Sequence, residues 1–553
     1  MSSTRVFEVL NRIQVALGRN SFPDMNFKLK QIKCLEAILK GRDVLAVLPT
    51  GYGKSIIFQL LPDFLSNEEK GSMIIVITSL NSIIDDQMKF LKKVGMECFH
   101  LKSPFDIEEA RTNLFSDSYP DNEVDNTALP DFSIKKFKIL FCHPEAILSD
   151  VGRNLLKTNT LQKEVKAIVV DEAHCIDTWG DSFRKEFLNL GAIRSFFLDI
   201  PVLALTATST VKTTSRIKSV LGMKDCVFLT INPNRSNVFL VKKKRYHNSY
   251  GIEGIKKILL SIGEDLKKQA KAYPQTIIYC KLKYCGYGYK LFESIIGPLQ
   301  YVGGECKPSK SLFVQFHAPQ TKYMKHEIIS EISKIDSNIR VIFATSALGM
   351  GVNAPNMKQI VHIGPPPTLE EYMQEIGRAG RRGQDAVAVL HYNNSDISID
   401  RITKGLIDKQ MAEYCKNESS CLRSLLLQHF KHKAPPQQKC CIICHPETDY
   451  GKHDHVLVRE KVQRKISEVD LQKLSQEFNN LLADLDANLT DDPPREFFGL
   501  SMDTKEIAEK FCMILDNVTE IENEDSLLGF GLWDEDVSKK AYELIQIYTT
   551  ELP

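Results

Sequence analysis

The stretch "DVLAVLPTGYGKSIIFQLLP", residues 43–62, joins a short apolar run to a glycine-rich turn and then to a helix-like apolar pattern. Gly51 and Gly53 allow the backbone to curl so that its N–H groups face a phosphate, and the following helix N-terminus adds partial positive charge. In such a loop Lys54 reaches the β- and γ-phosphates and Ser55 binds Mg²⁺. The stretch predicts a nucleotide site, and a plain glycine turn between core elements is the alternative.

Short β-branched runs alternate with helical segments on both sides of this loop. Near-continuous apolar runs between helices indicate a parallel sheet that is covered on both faces. The rhythm occurs twice, which predicts two successive α/β domains joined near residues 210–240. The runs are 43–48, 72–78, 138–142, 166–170 and 201–208, and then 276–280, 311–317, 340–345, 359–364 and 386–392.

The fold class is therefore α/β, with two tandem parallel-sheet domains, then a helical cysteine-containing module and an α-helical C-terminal tail. We place the first domain at residues 1–213 and the second at residues 214–393. The cysteine module takes residues 394–450 and the acidic tail takes residues 451–553. The polar segment 103–135 is typical of a surface loop insertion.

A second motif, "VVDEAHC", ends a strand with Asp171, Glu172 and His174. Parallel sheets bind ligands at this carboxyl edge. Nucleotide hydrolysis needs one carboxylate for the metal and its water shell and a second carboxylate to orient the attacking water. Asp171 and Glu172 can supply these roles in that order, which predicts an ATPase site.

The stretch "YMQEIGRAGRRGQ", residues 372–384, places Arg378 and Arg381 one helical turn apart. Guanidinium groups at this spacing face one way and can neutralise charge on a transferred phosphoryl group. A solvated surface helix is the alternative, but the three glycines between 377 and 383 argue against it, since glycine weakens a helix. We expect this segment to close the nucleotide site from the second domain.

Composition excludes several classes. The chain has 553 residues, of which 43% are hydrophobic and 25% are charged, as in an ordinary globular protein. No apolar run reaches the roughly 18 residues of a membrane helix, and the N-terminus lacks the pattern of a signal peptide. Most cysteines are scattered singly in apolar segments, which favours a reducing compartment.

The charge is unevenly distributed. Residues 451–553 hold 11 Lys and Arg against 23 Asp and Glu, whereas the whole chain holds 71 against 70. A basic body with an acidic tail fits a protein that binds a polyanion and carries a separate C-terminal module. Uneven solvated faces would give the same pattern.

With these residues identified, the chain resembles the RecQ family of superfamily 2 DNA helicases over about residues 15–445. The evidence is a series of motifs in family order: "FKLKQ" (27–31), "PTGYGKS" (49–55), "TSLNSIIDDQ" (78–87), "CHPE" (142–145), "DEAHCIDTWG" (171–180), "ALTATS" (204–209), "IIYC" (277–280), "FHA" (316–318), "ATSALGMGVN" (344–353) and "QEIGRAGRRG" (374–383).

The resemblance implies two RecA-like domains with ATP and Mg²⁺ between them. It implies that Gln31 reads the adenine edge, while Lys28 stands where the family has an adenine-stacking arginine. His174 and Gln374 would link the two faces of the cleft. The implied nucleotide ligands are Gln31, Thr50, Gly51, Gly53, Lys54 and Ser55, and the implied catalytic residues are Lys54, Asp171, Glu172, Gln374, Arg378 and Arg381.

The segment "CIDTWGDSFRKEF", residues 175–187, resembles the aromatic-rich loop that couples DNA binding to ATP hydrolysis in RecQ proteins. Trp179 and Phe183 offer faces for base stacking, and Arg184 offers a charge to a phosphate. Core packing is the alternative for a lone tryptophan. Asp181 and Ser182 depart from the family pattern, which predicts weaker coupling than in close relatives.

Four cysteines, Cys421, Cys440, Cys441 and Cys444, combine a C-x₂-C pair with a distant partner, a pattern that suits tetrahedral Zn²⁺. The family carries a zinc module at this place, although Cys440 abuts Cys441 where the family separates its cysteines. Cys415, His432 and His445 are alternatives for one of the ligands.

The expected function is an ATP-dependent DNA helicase that moves 3′ to 5′ on single-stranded tails and duplex junctions. The alternatives are a DNA-stimulated ATPase, translocase or annealing factor that does not unwind, a non-catalytic nucleic-acid-binding scaffold, and RNA as the substrate. The tail is expected to bind a protein partner. The function suggests the nucleus, or the cytoplasm of a prokaryote, and "KKKR" (242–245) is either a localisation signal or the exit of a strand.

Overall fold

Two parallel sheets, one after the other along the chain, form the body of the molecule, as the alternating pattern predicts. The computed structural model describes residues 3–22, 26–66, 72–79, 81–101, 137–178, 185–245, 252–348, 354–434, 439–448, 464–488, 504–516, 518, 527 and 535–551. The predicted insertion at 103–135 and the stacking residues Trp179, Phe183 and Arg184 lie outside these ranges.

The first sheet has seven parallel strands in the order β3-β4-β2-β5-β6-β1-β7. Its strands are β1 Val44–Val47, β2 Met73–Ile77, β3 Cys98–Leu101, β4 Ile139–Cys142, β5 Val165–Val170, β6 Val202–Thr206 and β7 Val227–Thr230. Strands β1 and β2 are buried at every position, and β5 at all but Lys166, because both faces are covered. The covering helices are α1 Ser3–Gly18, α2 Leu29–Leu39, α3 Lys54–Leu65, α4 Asn81–Lys93, α5 Pro144–Leu148, α6 Asp150–Leu156, α7 Asn159–Glu164, α8 Cys175–Thr178 and α9 Val211–Val220, with a 3₁₀ segment at Lys185–Ser195.

The second sheet has six parallel strands in the order β10-β11-β9-β12-β13-β8. Its strands are β8 Val238–Lys244, β9 Thr276–Tyr279, β10 Phe313–Phe316, β11 Val341–Ala344, β12 Gln359–Ile363 and β13 Ala386–Tyr392. Apolar clusters cover both faces of this sheet as well. The helices of this domain are α10 Glu253–Gln269, α11 Leu282–Ile296, α12 Lys322–Ile332 and α13 Leu369–Ile376.

Both predicted sheets are confirmed, and the structure adds three strands that the apolar pattern did not indicate: β3, β7 and β8. The first two are partly exposed edge strands, so their runs are short and mixed in polarity. Because β7 pairs with β1, the first sheet continues past residue 213, and the joint between the sheets lies at residues 231–237. The "KKKR" stretch is the exit of β8, where Arg245 forms a buried ion pair with Asp396 at 2.9 Å.

The cysteine module begins with short helices, α14 Ile399–Thr403, α15 Lys409–Lys416 and α16 Leu422–His429. It then returns to the second sheet, where the Ile442 N–H donates to the carbonyl of Leu240 at 2.9 Å and the Leu240 N–H donates to the carbonyl of Cys440 at 3.2 Å. The module therefore packs along the β8 edge.

The tail has a core of its own. Its helices are α17 Glu468–Asn488, α18 Thr504–Asp516 and α19 Glu535–Tyr548, and a two-stranded antiparallel pair, β14 Arg464–Lys465 and β15 Thr550–Glu551, joins its ends. Phe478 stacks on Phe511 with ring centroids 4.4 Å apart at the centre of this core. Within the described ranges no helix combines the length and the apolar character that crossing a bilayer requires.

Candidate nucleotide site

The glycine loop, residues 49–55, lies between the carboxyl end of β1 and helix α3, and we call it the phosphate loop. Gly51 and Gly53 have φ values of 82° and 89°, in the left-handed region that glycine adopts without strain. Helix α3 begins at Lys54, so its free N–H groups face the loop. The Lys54 ammonium group folds back over the loop and donates to the carbonyl of Leu48 at 3.3 Å. This is the geometry of a phosphate-binding loop.

Gln31 holds this loop from helix α2. Its Nε2 donates to the carbonyls of Tyr52 and Gly53 at 3.1 and 3.0 Å, and its Oε1 accepts from the N–H of Lys28 at 2.7 Å. The Lys28 ammonium group lies 4.4 Å from the centre of the Tyr52 ring. Both ends of the Gln31 amide thus contact the protein, and its reading of an adenine stays a prediction.

The Ser55 hydroxyl accepts a hydrogen bond from Gln87 Nε2 at 3.3 Å, and Gln87 Oε1 accepts from Gln59. Gln87 closes the "TSLNSIIDDQ" motif, on α4. The sequence pattern marked that motif without giving Gln87 a role, and the structure shows that it orients the serine.

The acidic pair follows β5 directly. Asp171 is buried, and its Oδ1 accepts from the N–H of Glu172 at 3.0 Å. Burial, followed by the charge of Glu172, raises the pKa of Asp171 to about 7, and Lys54 opposes this shift. Glu172 has a φ of 51°, unusual for a residue other than glycine and typical of strained functional sites. A cation beside Asp171 would favour its ionised form, so the residues present fit Mg²⁺.

His174 connects the acidic pair to the "ALTATS" motif. Its Nδ1 lies 3.1 Å from the Thr206 hydroxyl and 3.4 Å from a Glu172 carboxylate oxygen. The Thr206 hydroxyl in turn donates to the carbonyl of Thr208 at 2.9 Å. Burial lowers the pKa of His174, which favours a neutral imidazole at physiological pH.

The arginine segment of the second domain differs from the expected helix. Helix α13 ends at Ile376, and Arg378 and Arg381 lie in the turns that follow. Gly380 and Gly383 have φ values of 64° and 84°, so the chain does not continue as a helix through them. We call residues 377–383 the arginine loop. The prediction of two arginines on one helical turn was therefore wrong in its geometry.

The arginine loop nevertheless faces the acidic pair. Burial, followed by the charges of Arg378 and Arg235, lowers the pKa of Arg381, and the Glu172 carboxylate opposes this shift. Arg378 is only 4% exposed. Several guanidinium groups crowded at one place are typical of a site for a multiply charged anion such as a triphosphate.

A cavity of about 590 Å³ lies beside the nucleotide cleft; it is lined mainly by residues of the second domain and not by the phosphate loop, the acidic pair or the arginine loop. His174 of the first domain and Gln374 of the second both line it, so the structure brings these two predicted residues to one space. Below Gln374, the Glu375 carboxylate contacts His362 Nε2 at 2.8 Å, and the His362 ring stacks on Tyr279 at 5.2 Å.

The four cysteines of the module come together. The Sγ atoms of Cys421 and Cys440 are 3.7 Å apart, Cys441 lies 3.9 Å from each, and all four including Cys444 lie within 4.8 Å of one another. Sulfur atoms around a tetrahedral zinc at 2.3 Å are about 3.8 Å apart. The donor set therefore fits Zn²⁺.

The three residues that the sequence offered as alternative zinc ligands contact other groups. Lys242 donates to the carbonyl of Cys415 at 2.7 Å, His432 lies 3.4 Å from the Thr230 hydroxyl, and His445 lies 3.4 Å from Glu447. Burial alone would raise the pKa of Cys421, but hydrogen bonds from Ser424 lower it to about 7, whereas burial raises the pKa of Cys440 to about 11.

One residue of the cleft, Arg235, is not among those that the sequence patterns indicated. Arg235, in the joint between the sheets, donates to the carbonyl of Thr50 in the phosphate loop at 2.8 Å and to that of Gly377 at 3.0 Å. It lies in "NPNRSNV", which has no periodicity or glycine pattern that could have marked it.

Comparison with known proteins agrees with this arrangement. Residues 28–217 match the DEAD/DEAH box helicase family, and residues 258–383 match the helicase conserved C-terminal domain. The Mss116p structure bound to ssRNA and AMP-PNP superposes with a TM-score of 0.53 at 16% identity, covering 96% of this chain and 93% of that one. The helicase MrfA bound to DNA gives 0.52 at 17% identity, over 71% and 52%. These likenesses establish the fold as two RecA-like domains.

Curated relatives are similar over most of the chain. The ATP-dependent DNA helicase Q-like 2 of Arabidopsis thaliana is 27% identical over 86% of this chain and 64% of its own length. The DNA helicase RecS of Bacillus subtilis is 30% identical over 66% and 64%, and the DNA helicase Q1 of Caenorhabditis elegans is 29% identical over 76% and 61%. The chain thus spans less than two thirds of the length of these relatives. Two helicase domains in tandem, a cysteine module behind them and relatives of this kind give one answer: the chain belongs to the RecQ family of helicases.

Proposed function

We propose that the chain is an ATP-dependent DNA helicase of RecQ type that translocates 3′ to 5′ on single-stranded DNA and unwinds duplex ahead of it. The observation that carries the proposal is the cleft, in which a phosphate loop and an acidic pair on one domain face an arginine loop on the other. Phosphoryl transfer from ATP needs this combination of positioning and charge.

Each side chain has a proposed role in hydrolysis. Lys54 binds the β- and γ-phosphates, Glu172 orients the attacking water, and Arg378 and Arg381 stabilise the charge that develops on the transferred phosphoryl group. Mg²⁺, held by Ser55 and Asp171, would supply neutralising charge at the phosphate oxygens. The backbone N–H groups at Thr50, Gly51 and Gly53 cradle the phosphates.

Domain movement would couple hydrolysis to DNA. His174 of the first domain and Gln374 of the second line one cavity, so closure on ATP and opening after hydrolysis would change their separation. Trp179, Phe183 and Arg184 are proposed to bind the DNA strand, by stacking and by charge. DNA with single-stranded tails or duplex junctions is the proposed partner.

The cysteine module is proposed to bind one structural Zn²⁺ through Cys421, Cys440, Cys441 and Cys444. We expect the purified chain to contain about one zinc per molecule by elemental analysis, and Cys444→Ser to contain markedly less. Cys306→Ser, which changes an exposed cysteine outside the cluster, should leave the zinc content unchanged. A wild-type protein without zinc would contradict the assignment.

Two further proposals concern the binding partner of the tail and the cell compartment. The acidic tail, residues 451–553, is proposed to bind a protein partner, because its net charge disfavours DNA. An enzyme that acts on chromosomal DNA works in the nucleus, or in the cytoplasm of a prokaryotic cell, and we propose that setting here.

The decisive experiment is strand displacement with ATP and Mg²⁺ on partial duplexes that carry a 3′ or a 5′ single-stranded tail. Release of the 3′-tailed DNA alone is expected. Hydrolysis without release would establish a DNA-stimulated translocase or annealing factor. Release of an RNA duplex in preference to DNA would move the substrate to RNA, and absence of any ATP hydrolysis would leave a nucleic-acid-binding scaffold.

A further inference from the structure

The joint between the two sheets does more than connect them. We propose that Arg235 is a positioning residue that sets the separation between the phosphate loop and the arginine loop, and so controls the rate of ATP hydrolysis without touching the nucleotide. This inference rests on the proposed ATPase function of the cleft.

The first support is the geometry of the guanidinium group. Its Nη2 donates to the carbonyl of Thr50 at 2.8 Å and to that of Gly377 at 3.0 Å, and its Nη1 lies 3.5 Å from the carbonyl of Gly380. One side chain thus binds backbone on both sides of the cleft. The acceptors are backbone carbonyls, so the contact fixes the course of the two loops and leaves their functional side chains to the substrate.

The second support is the rigidity of the base from which Arg235 extends. Arg423 of helix α16 donates to the Asn234 side-chain oxygen at 2.9 Å, to the carbonyl of Arg235 at 2.7 Å and to that of Cys440 at 3.3 Å. The joint is therefore fixed to the cysteine module. A positioning group needs such a base, because its own rotamer must be locked before it can fix another residue.

The third support is a parallel contact from the same segment. Asn237 Nδ2 donates to the carbonyls of Gly380 and Gln384 at 2.8 and 2.6 Å. Arg235 and Asn237 together hold both ends of the turn that carries Arg381. The joint thus shares in holding the arginine loop, together with the carbonyl of Met357, which accepts from the Gly380 N–H at 2.9 Å.

Loss of Arg235 should disturb the alignment of the catalytic groups on the two loops. Displacement of a catalytic group by about 1 Å can cost about 100-fold in rate. Removal of Arg235 leaves Lys54, the acidic pair and both loop arginines in place but releases the constraint between the loops. Turnover should fall, and affinity for ADP, which requires the phosphate loop more than the arginine loop, should change less.

The test is a double-mutant cycle on the full-length chain with DNA-stimulated ATP turnover and ADP affinity as readouts. Arg235→Ala is expected to lower kcat by about 10- to 100-fold while weakening ADP binding by less than about fivefold. In an Arg381→Ala background the same change is expected to cost less than about threefold, because Arg235 acts through the loop that carries Arg381. Full additivity of the two changes would overturn the inference.

Arg235→Lys is the control for folding: it keeps the charge and the apolar stem, but its ammonium nitrogen takes the place of the arginine Cζ, one bond short of the Nη2 that contacts both carbonyls. It should retain the wild-type melting temperature and still lose at least fivefold in kcat. Activity lost only in proportion to unfolded protein would refute the positioning role. Arg42→Ala is the matched control, because Arg42 pairs with Asp225 on the surface, and it should keep wild-type kinetics.

The outcome for the proposed function is separate. If the wild-type chain hydrolyses no ATP, the ATPase assignment itself fails. If wild type hydrolyses ATP and Arg235→Ala does so at the same kcat, only the role of Arg235 fails.

Discussion

The two walls of the cleft are built in different ways. The wall of the first domain consists of loops at the carboxyl ends of buried parallel strands. Most of its bracing residues, Gln31, Gln87 and Thr206, come from the same domain, and the joint adds one contact, from Arg235 to the carbonyl of Thr50. The wall of the second domain is a glycine turn that follows the end of a helix. It is held by Arg235 and Asn237, which lie outside both sheets, as well as by the carbonyl of Met357 in its own domain.

The difference indicates which wall is rigid and which is adjustable. A loop anchored by a buried sheet keeps its conformation when other parts of the molecule move, and it therefore suits the binding of phosphates. A turn held by the joint and indirectly by the cysteine module responds to the relative position of the domains. Such a turn suits the step that depends on domain closure.

The largest expected effect is on the first wall. Lys54→Ala should abolish ATP hydrolysis, by at least about 1,000-fold, because the ammonium group proposed to bind the transferred phosphate is lost. DNA binding without nucleotide should persist within about threefold, as measured by fluorescence anisotropy. Lys157→Ala, at the end of helix α6 in the same domain, is the surface control. Hydrolysis near the wild-type rate would refute the phosphate-loop assignment.

A substitution in the second wall should lower ATP turnover and leave nucleotide affinity nearly unchanged. Arg381→Ala is expected to lower kcat by about 100-fold or more, while affinity for ADP changes by less than about fivefold, because this group is proposed to stabilise charge that develops in the transition state. Stopped-flow binding of a fluorescent ADP and steady-state turnover measure the two quantities. Arg382→Ala, an exposed neighbour in the same loop, serves as the control. Equal losses in binding and in turnover would place Arg381 in ground-state recognition.

Two glycines test how tightly the second wall is held. A Cβ on Gly380 would lie 2.2 Å from Asn237 Nδ2, whereas a Cβ on Gly383 would meet nothing within 4 Å, and both residues have positive φ. Gly380→Ala should therefore lower kcat about tenfold more than Gly383→Ala does, beyond the strain of about 1–3 kcal/mol that both share. Turnover corrected for the melting temperature measures this difference. Equal effects would show that the contact with Asn237 does not shape the loop.

The smallest change in ATPase kinetics should follow the loss of a side chain that braces the first wall. Gln87→Ala removes the donor to Ser55 and is expected to raise the KM for ATP by about two- to fivefold, with kcat within about threefold, since the sheet still holds the loop. Gln162→Ala, which removes a hydrogen bond far from the loop, is the control. A loss of kcat beyond 30-fold would mean that the first wall is as dependent on side-chain bracing as the second.

The sequence allowed the first wall to be predicted well because its residues lie at strand ends, and buried strands leave a strong apolar pattern. Lys54, Ser55, Asp171 and Glu172 all come where that pattern predicts a loop. The arginines were found by their residue type, but their conformation was not, because glycines at positive φ ended a helix that the spacing suggested. Arg235 could not be found, since a contact to backbone carbonyls more than 100 residues away leaves no local signal.

The cysteine module also has a protective consequence. β8 is the last strand of the second sheet, and its "VFLV" run would present unpaired backbone groups beside apolar side chains. Exposed edges of this composition recruit strands from other molecules and lead to aggregation. Residues 440–442 cover this edge by pairing with Leu240. If the module binds zinc as proposed, a chain stripped of the metal should be lost from solution by self-association before its sheets unfold.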